Sequence, residues 1–139
     1  MIDAGEPSAG LNKGMRIYFA SDTGLRGVPR PDVEVRELSS VVKLLIGGPS
    51  EAEQQSGLST LVESTGEYHA TGTGNRVVLE APELYLWPEE RLLIGQLVCS
   101  LARAQSVLHP EMSPDDVQVT LKPRDEELGP YHCSPFLSG

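Results

Sequence analysis

The chain has 139 residues, 39% of them apolar, which is enough for a single domain with a single core. Its 11 basic and 20 acidic residues give a formal charge of −9, and the basic residues form no cluster. This balance argues against a nucleic acid or an anionic lipid surface as partner, because both need a positive face on the protein.

Alternation of apolar and polar residues predicts a strand over 15–21, "MRIYFAS", and another over 33–38, "VEVREL". The opening residues 1–14 are Gly, Pro and polar residues without periodicity, which predicts a flexible lead-in. The segment 22–32, "DTGLRGVPRPD", is rich in turn formers and is expected to be a loop. The N-terminal part of the sheet is therefore expected to consist of two strands separated by this loop.

An amphipathic helix is expected next, since apolar residues recur at positions 38, 41, 42, 45 and 46. Ser39 or Ser40 is expected to cap its first turn. Gly47 or Gly48 can take the positive φ that ends a helix, and Pro49 cannot continue it. The helix should therefore end at the two glycines.

The residues after this helix predict a tight structural corner. Ser50 and Glu53 match the S-x-x-E capping box, so a second short helix is expected through "EAEQQ", ending near Gly57. Residues 58–63 would then return to the sheet. Nothing in this stretch has catalytic geometry, and the corner is interpreted as structural through Gly47, Gly48, Pro49, Ser50, Glu53 and Gly57.

In the second half, residues 67–71 and 76–81 predict a hairpin around "GTGN", which lies between strands rather than before a helix and so is not a phosphate loop. The longest helix is expected to start at Pro88, and "DVQVTLKP" is the last predicted strand. Tyr85 and Trp87 could stack on a sugar or a partner peptide, but at the beginning of a helix they are expected to pack into the core.

These elements predict an α+β fold in which two amphipathic helices pack on one face of a small mixed sheet. An irregular tail follows the last strand, and it carries Tyr131, Phe136 and Leu137, which are unusual residues for a free tail. The domain is expected to span residues 15–122, and the tail residues 123–139.

Cys99 and Cys133 have no CxxC spacing and no cluster of ligands around them, so they predict one structural disulfide, although two unrelated buried thiols would look the same. A helical wheel places Cys99 opposite the centre of the apolar face formed by Leu93, Ile94, Leu97, Val98 and Leu101. The disulfide therefore requires the tail to fold back over the outer side of the helix, where its apolar residues would also cover Leu92.

The sequence has no recognisable catalytic or metal-binding motif, and no cofactor is expected. The alternative to a binding protein is a small hydrolase or ligand-binding enzyme with a site built from His132, Asp115 and Asp116. With Glu111, the two aspartates could also bind a cation weakly, although the solvated start of a strand explains them as well.

Two stretches resemble the GerMN domain, also called the sporulation and spore germination domain. The corner resembles its "LL.GP…E…GL.T" pattern and the long helix its "A.AQLV.TL" pattern, in the same order and over roughly residues 15 to 122. The matching residues are Leu44, Leu45, Gly48, Pro49, Ser50, Glu53, Gly57, Leu58, Ser59 and Thr60, followed by Gln96, Leu97, Val98 and Leu101.

The resemblance implies a fold similar to the ring-building motif and a non-enzymatic binding or assembly role. It also implies an extracytoplasmic location on the outer face of the cytoplasmic membrane, held by a lipid anchor that precedes this sequence. The expected partner is a protein of the cell envelope, with homo-oligomers possible in such assemblies. The chain departs from the family after Thr60, where Leu61, Val62 and Glu63 replace the usual apolar residue and Ile-Pro.

Overall fold

The computed structural model describes residues 15–30, 33–63 and 66–137; the predicted lead-in, residues 1–14, lies outside them. A 3-10 turn at Pro114–Asp116 precedes the fifth strand, Gln118–Lys122. The elements are β1 (Arg16–Ser21), β2 (Gly24–Pro29), α1 (Leu38–Gly47), α2 (Glu51–Gln55), β3 (His69–Thr73), β4 (Arg76–Glu80), α3 (Arg91–Leu108), β5 (Gln118–Lys122), β6 (Leu128–Tyr131) and α4 (Ser134–Leu137).

Helices α1 and α3 pack on a mixed sheet, which confirms the predicted α+β class. The sheet has the order β3-β4-β5-β6, in which β4 and β5 are parallel and the other pairs antiparallel. The hairpin around residues 72–75 forms as predicted, although Gly72 and Thr73 belong to β3. The opposite face of the sheet is polar, with His69, Thr71 and Glu80 exposed.

A second, two-stranded sheet was not expected. The segment predicted as a loop contains β2, which pairs antiparallel with β1 over its whole length. Of its two glycines, Gly24 has a positive φ (121°) next to the turn between the strands, and Gly27 serves packing, since a Cβ there would lie 2.8 Å from the Tyr18 ring. The prediction of a strand over 33–38 was also wrong, because residues 33–37 form no strand before α1 begins at Leu38.

Helix α3 lies at the centre of the molecule and contacts α1, both sheets and α4. Side chains of α3 also satisfy the free edge of β1, since the Tyr18 amide donates to Ser100 Oγ (3.0 Å) and Gln96 Nε2 donates to the Tyr18 carbonyl (3.0 Å). The predicted apolar face is buried, and so are most other positions of the helix. The buried residues are Leu93, Ile94, Gly95, Gln96, Leu97, Val98, Cys99, Ser100, Leu101, Ala102, Ala104, Gln105 and Ser106.

The start of α3 was predicted three residues too early. The helix begins at Arg91, because the Glu90 carboxylate accepts a hydrogen bond from the Trp87 amide (2.8 Å) and the Glu90 amide donates to the Trp87 carbonyl (3.0 Å). These bonds hold residues 87–90 in a turn. Pro88 therefore belongs to the turn and not to the first turn of the helix.

The corner forms as predicted, with both hydrogen bonds of the Ser50–Glu53 capping box and a positive φ at Gly57. Ser59 then pairs with Ala20, which returns the chain to β1. The expected serine cap of α1 was wrong. Ser39 Oγ accepts from the Ala70 amide (2.9 Å) and so satisfies the free edge of β3, whereas Ser40 Oγ donates to the Glu37 carbonyl.

Gly48→Ala should lower the free energy of unfolding by about 1–3 kcal/mol, because Gly48 has φ 84° and ψ 178°, a conformation restricted to glycine. The space around it is not the cause, since a Cβ there would meet Thr60 at an ordinary 3.5 Å. Urea denaturation measures the change. Gly47→Ala is the matched control: it lies in α1 with open space at its Cβ and should not destabilise the protein. Equal midpoints for the two variants would contradict the assignment.

Glu53 also anchors the corner to the N-terminal hairpin. Its two carboxylate oxygens accept from Arg30 Nη2 (2.7 Å) and Nη1 (2.8 Å), and Oε1 also accepts from the Ser50 amide (2.8 Å). The Arg30 hydrogen bonds, against a smaller opposing effect of burial, lower the pKa of Glu53 from 4.5 to about 2. The charged form of Glu53 is therefore the one that the folded state stabilises.

A lowered pKa in the folded state stabilises the protein above the unfolded value and is lost as the pH falls. The contribution of Glu53 should be complete above about pH 4.5 and should disappear toward pH 2. Thermal melting as a function of pH should show this acid limb in the wild type and a shallower one in Glu53→Gln. Glu51→Gln, an exposed change on the same helix, should keep the wild-type limb. Parallel acid limbs for wild type and Glu53→Gln would refute the role of Glu53.

The tail folds back over α3, and Cys99 and Cys133 form the predicted disulfide. The tail is more regular than expected, because β6 pairs with β5 and α4 contacts α3. Phe136 packs edge to face with Tyr131 and lies under the Arg91 guanidinium, 4.6 Å from ring centroid to Cζ. Leu92 is not covered as expected; it remains exposed, as does Leu137.

Candidate functional site

A groove of about 460 Å³ lies at the N-terminal end of α3. Its apolar lining includes the exposed side chains of Leu61 and Leu92 and the buried side chains of Leu84 and Leu93. Exposed large apolar side chains rarely cluster on a soluble monomer unless the patch binds something. The groove is lined by Leu61, Glu63, Leu84, Tyr85, Glu89, Glu90, Arg91, Leu92 and Leu93.

Two exposed aromatic side chains extend this apolar surface, contrary to the prediction that they pack in the core. Burial alternates along residues 84–87: Leu84 and Leu86 are buried, whereas Tyr85 and Trp87 are 62% and 58% exposed. In an extended segment, residues two positions apart lie on the same side. Tyr85 and Trp87 therefore project together on the solvent side of the segment.

The segment that carries these aromatics is held to the end of β5. The Arg124 amide donates to the Leu84 carbonyl (2.8 Å), and the Ala81 amide donates to the Lys122 carbonyl (2.9 Å). The Arg124 guanidinium lies over the Tyr85 ring, with Cζ 5.1 Å from the ring centroid. These contacts give Tyr85 a defined position and cover one face of its ring.

Gln96 holds in place the segment that carries Leu61. This side chain is fully buried in α3, and its Oε1 accepts from the Leu61 amide at 2.7 Å. Its Nε2 donates to the Tyr18 carbonyl (3.0 Å) and to Thr60 Oγ1 (3.2 Å). Gln96 therefore holds the segment carrying Leu61 against both α3 and β1.

The rim of the groove is acidic. Glu63 and Glu89 are exposed and Glu90 is half-buried, while Arg91 supplies the only positive charge among the lining residues that the structure describes. The Arg91 guanidinium already stacks on Phe136. The rim thus carries three carboxylates, with Arg91 and the nearby Arg124 as the positive charges described around it.

The residues of the alternative enzyme site have other roles. His132 Nδ1 lies 3.0 Å from the Asp115 backbone oxygen, and Asp116 Oδ2 accepts from the Ser113 amide at the start of the 3-10 turn. The carboxylate of Asp116 thus caps a turn, and the contact of His132 is to backbone. The Cys133 sulfur is bonded to Cys99, so the pair offers no thiol nucleophile. Within residues 15–30, 33–63 and 66–137, no group of three or more His, Cys, Asp or Glu, including Glu111, is arranged to hold a metal ion.

The exposure of Tyr85 and Trp87 was not predicted, because aromatic residues at the beginning of an amphipathic helix more often pack into the core. The alternation of Leu84, Tyr85, Leu86 and Trp87 places two of the four residues on the outer side of any extended segment. An alternation with a period of two residues indicates an extended segment with one side exposed to solvent, whereas packing against the start of a helix would bury the aromatic rings. It could have indicated that the aromatics are exposed.

None of the described helices is long and apolar enough to cross a membrane. Comparison of the chain with protein-family models, with curated proteins and with solved structures gives no match.

Proposed function

We propose that this chain is a non-enzymatic binding module that engages a protein partner through the groove at the N-terminal end of α3. The observation that carries the proposal is the exposure of Leu61, Tyr85 and Leu92 around one groove, with Trp87 exposed on the segment that carries Tyr85. Large aromatic and aliphatic side chains at a rigid position are the usual anchors of protein interfaces. The buried Gln96 and the backbone bonds of Arg124 supply that rigidity.

We further propose an extracytoplasmic location, with the chain held at the outer face of the cytoplasmic membrane by a lipid anchor outside this sequence. The Cys99–Cys133 disulfide supports an oxidising compartment, since such bonds persist where thiols are not kept reduced. The resemblance to the GerMN domain supports a role in the cell envelope of a bacterium, in sporulation or germination. It rests on the corner motif, Leu44 to Thr60, and the helix motif, Gln96 to Leu101, taken together at this spacing.

Site-specific photo-crosslinking in exported protein tests the binding proposal. A benzophenone amino acid at position 92 should cross-link to a defined protein, identified by mass spectrometry, and Trp87→Ala should abolish the product. The same probe at position 137, another exposed leucine, on α4, is the matched control and should not give that product. An identical product from both positions, or none from position 92, would refute the groove as the binding surface.

The absence of catalysis is tested separately. Purified protein should show no turnover of ester, peptide or glycoside substrates above the background of a His132→Ala/Asp115→Ala variant. Any activity that this variant loses while keeping its fold would contradict the proposal of a non-enzymatic module.

A further inference from the structure

We infer that the occupant of the groove is a basic polypeptide segment, which inserts an apolar side chain between Leu61 and Leu92 and sets Lys or Arg residues against the acidic rim. The inference rests on the proposed function and adds the chemistry of the partner. It combines buried apolar lining residues, an excess of carboxylates around them and an aromatic ring that is already covered on one face.

The floor and walls of the groove select an apolar side chain. Leu84 and Leu93 are only 4% and 7% exposed, and they line the groove together with the exposed Leu61 and Leu92. Aliphatic surface of this kind gains free energy when another aliphatic or aromatic group removes it from water. A polar ligand would lose hydration there without receiving hydrogen-bond partners from the leucines.

The rim selects a cationic neighbour for that side chain. Glu63 and Glu89 are exposed next to the apolar walls, and Glu90 contributes a third carboxylate. The Arg91 guanidinium stacks on Phe136 and the Arg124 guanidinium on Tyr85; among the described residues, neither forms an ion pair with a rim carboxylate, and the whole chain carries a formal charge of −9. Within a Debye length of about 8 Å at physiological salt, these carboxylates attract Lys and Arg and repel an acidic partner.

The same features disfavour two other occupants. Arg124 covers one face of the Tyr85 ring and so reduces the aromatic surface on which a sugar could stack, and Leu61 and Leu92 offer its hydroxyl groups no hydrogen bonds. A second copy of this chain would bring its own excess of carboxylates, since 20 acidic residues face 11 basic ones. Like charges placed across an interface weaken it.

Binding of fluorescein-labelled model peptides, followed by anisotropy, tests the inference. The probe is Lys-Lys-Leu-Phe-Lys-Lys, with Glu-Glu-Leu-Phe-Glu-Glu and Lys-Lys-Ser-Ser-Lys-Lys as controls for charge and for the apolar anchor. The basic apolar peptide should bind at least about tenfold more tightly than either control, and its Kd should rise at least about threefold between low and high salt. Trp87 is the only tryptophan, so its emission reports occupancy near the groove.

Charge reversal locates the binding. Glu63→Lys and Glu89→Lys should each weaken the basic peptide at least about threefold. Glu111→Lys makes the same change in net charge beyond the other end of α3, about 27 Å along the helix, and should leave Kd unchanged within error. An effect of Glu111→Lys equal to those of the rim variants would show that only net charge matters, and would overturn the inference.

The two proposals fail in different ways. If position 92 cross-links a protein but the acidic peptide or a chitin oligosaccharide binds better than the basic peptide, the groove is a binding site and the inferred chemistry is wrong. If the basic peptide does not bind at all, the inference is overturned, whatever the cross-linking shows. If cross-linking at position 92 also fails, the proposed function falls with it.

Discussion

The Cys99→Ala/Cys133→Ala variant should be less stable than the wild type by about 3–4 kcal/mol. The disulfide closes a loop with a sequence separation of 34 residues, and a cross-link of this length removes that much conformational freedom from the unfolded chain in the entropy model. Both cysteines are buried, so the variant also loses packing around α3. Urea denaturation with and without reductant measures the effect.

Reductant provides the control for this prediction. The wild type should fall to the stability of the variant when it is reduced, whereas the variant should not respond. Proteolysis should then cut first in the tail, because β6 and α4 are held to the body mainly by β5, α3 and the disulfide. Wild-type protein that melts identically in both redox states, with its thiols shown to be free after reduction, would contradict the role of the bond.

Gln96→Met should destabilise the protein by about 2–4 kcal/mol, because a side chain of similar size is kept while two hydrogen-bonded backbone groups lose their partner. These groups are the Leu61 amide and the Tyr18 carbonyl, both bonded to the fully buried amide of Gln96. The loss should also loosen the Leu61 wall of the groove. The basic peptide should therefore bind more weakly even under conditions where the variant is fully folded.

Gln55→Met is the matched control, since Gln55 is exposed at the end of α2 and the substitution is the same. It should change the free energy of unfolding by less than about 0.5 kcal/mol. Chemical denaturation gives the stabilities, and hydrogen exchange of the Leu61 amide reports the local effect. A Gln96→Met protein with wild-type stability and unchanged protection of that amide would show that the network has no structural role.

Interactions between residues close in sequence explain which features of the fold could be predicted. The Ser50–Glu53 capping box, the positive φ of Gly48, the hairpin around residues 72–75 and the apolar face of α3 depend on neighbours within a few residues, and all of them form. The Cys99–Cys133 bond was also predictable, because two cysteines and an apolar tail leave few other arrangements.

The errors in the predicted fold come from contacts between residues that are far apart in sequence. β2 looked like a loop because of its glycines, yet Gly27 is needed where the Tyr18 ring crosses the hairpin. The serines at the start of α1 were read as caps, but Ser39 instead satisfies the exposed edge of β3 at Ala70, a residue 31 positions away. No local pattern can show where an unpaired strand edge will lie.

The candidate site shows the same division between sequence and structure. The sequence by itself determined the acidic charge of the chain and the apolar face of α3. Only the tertiary structure decided that Leu61 and Leu92, 31 residues apart, line one groove, that Tyr85 and Trp87 are exposed, and that Arg124 covers the Tyr85 ring. The physical reason is that a binding surface is an arrangement of exposed groups from separate segments, and their distances are set by how the buried faces pack.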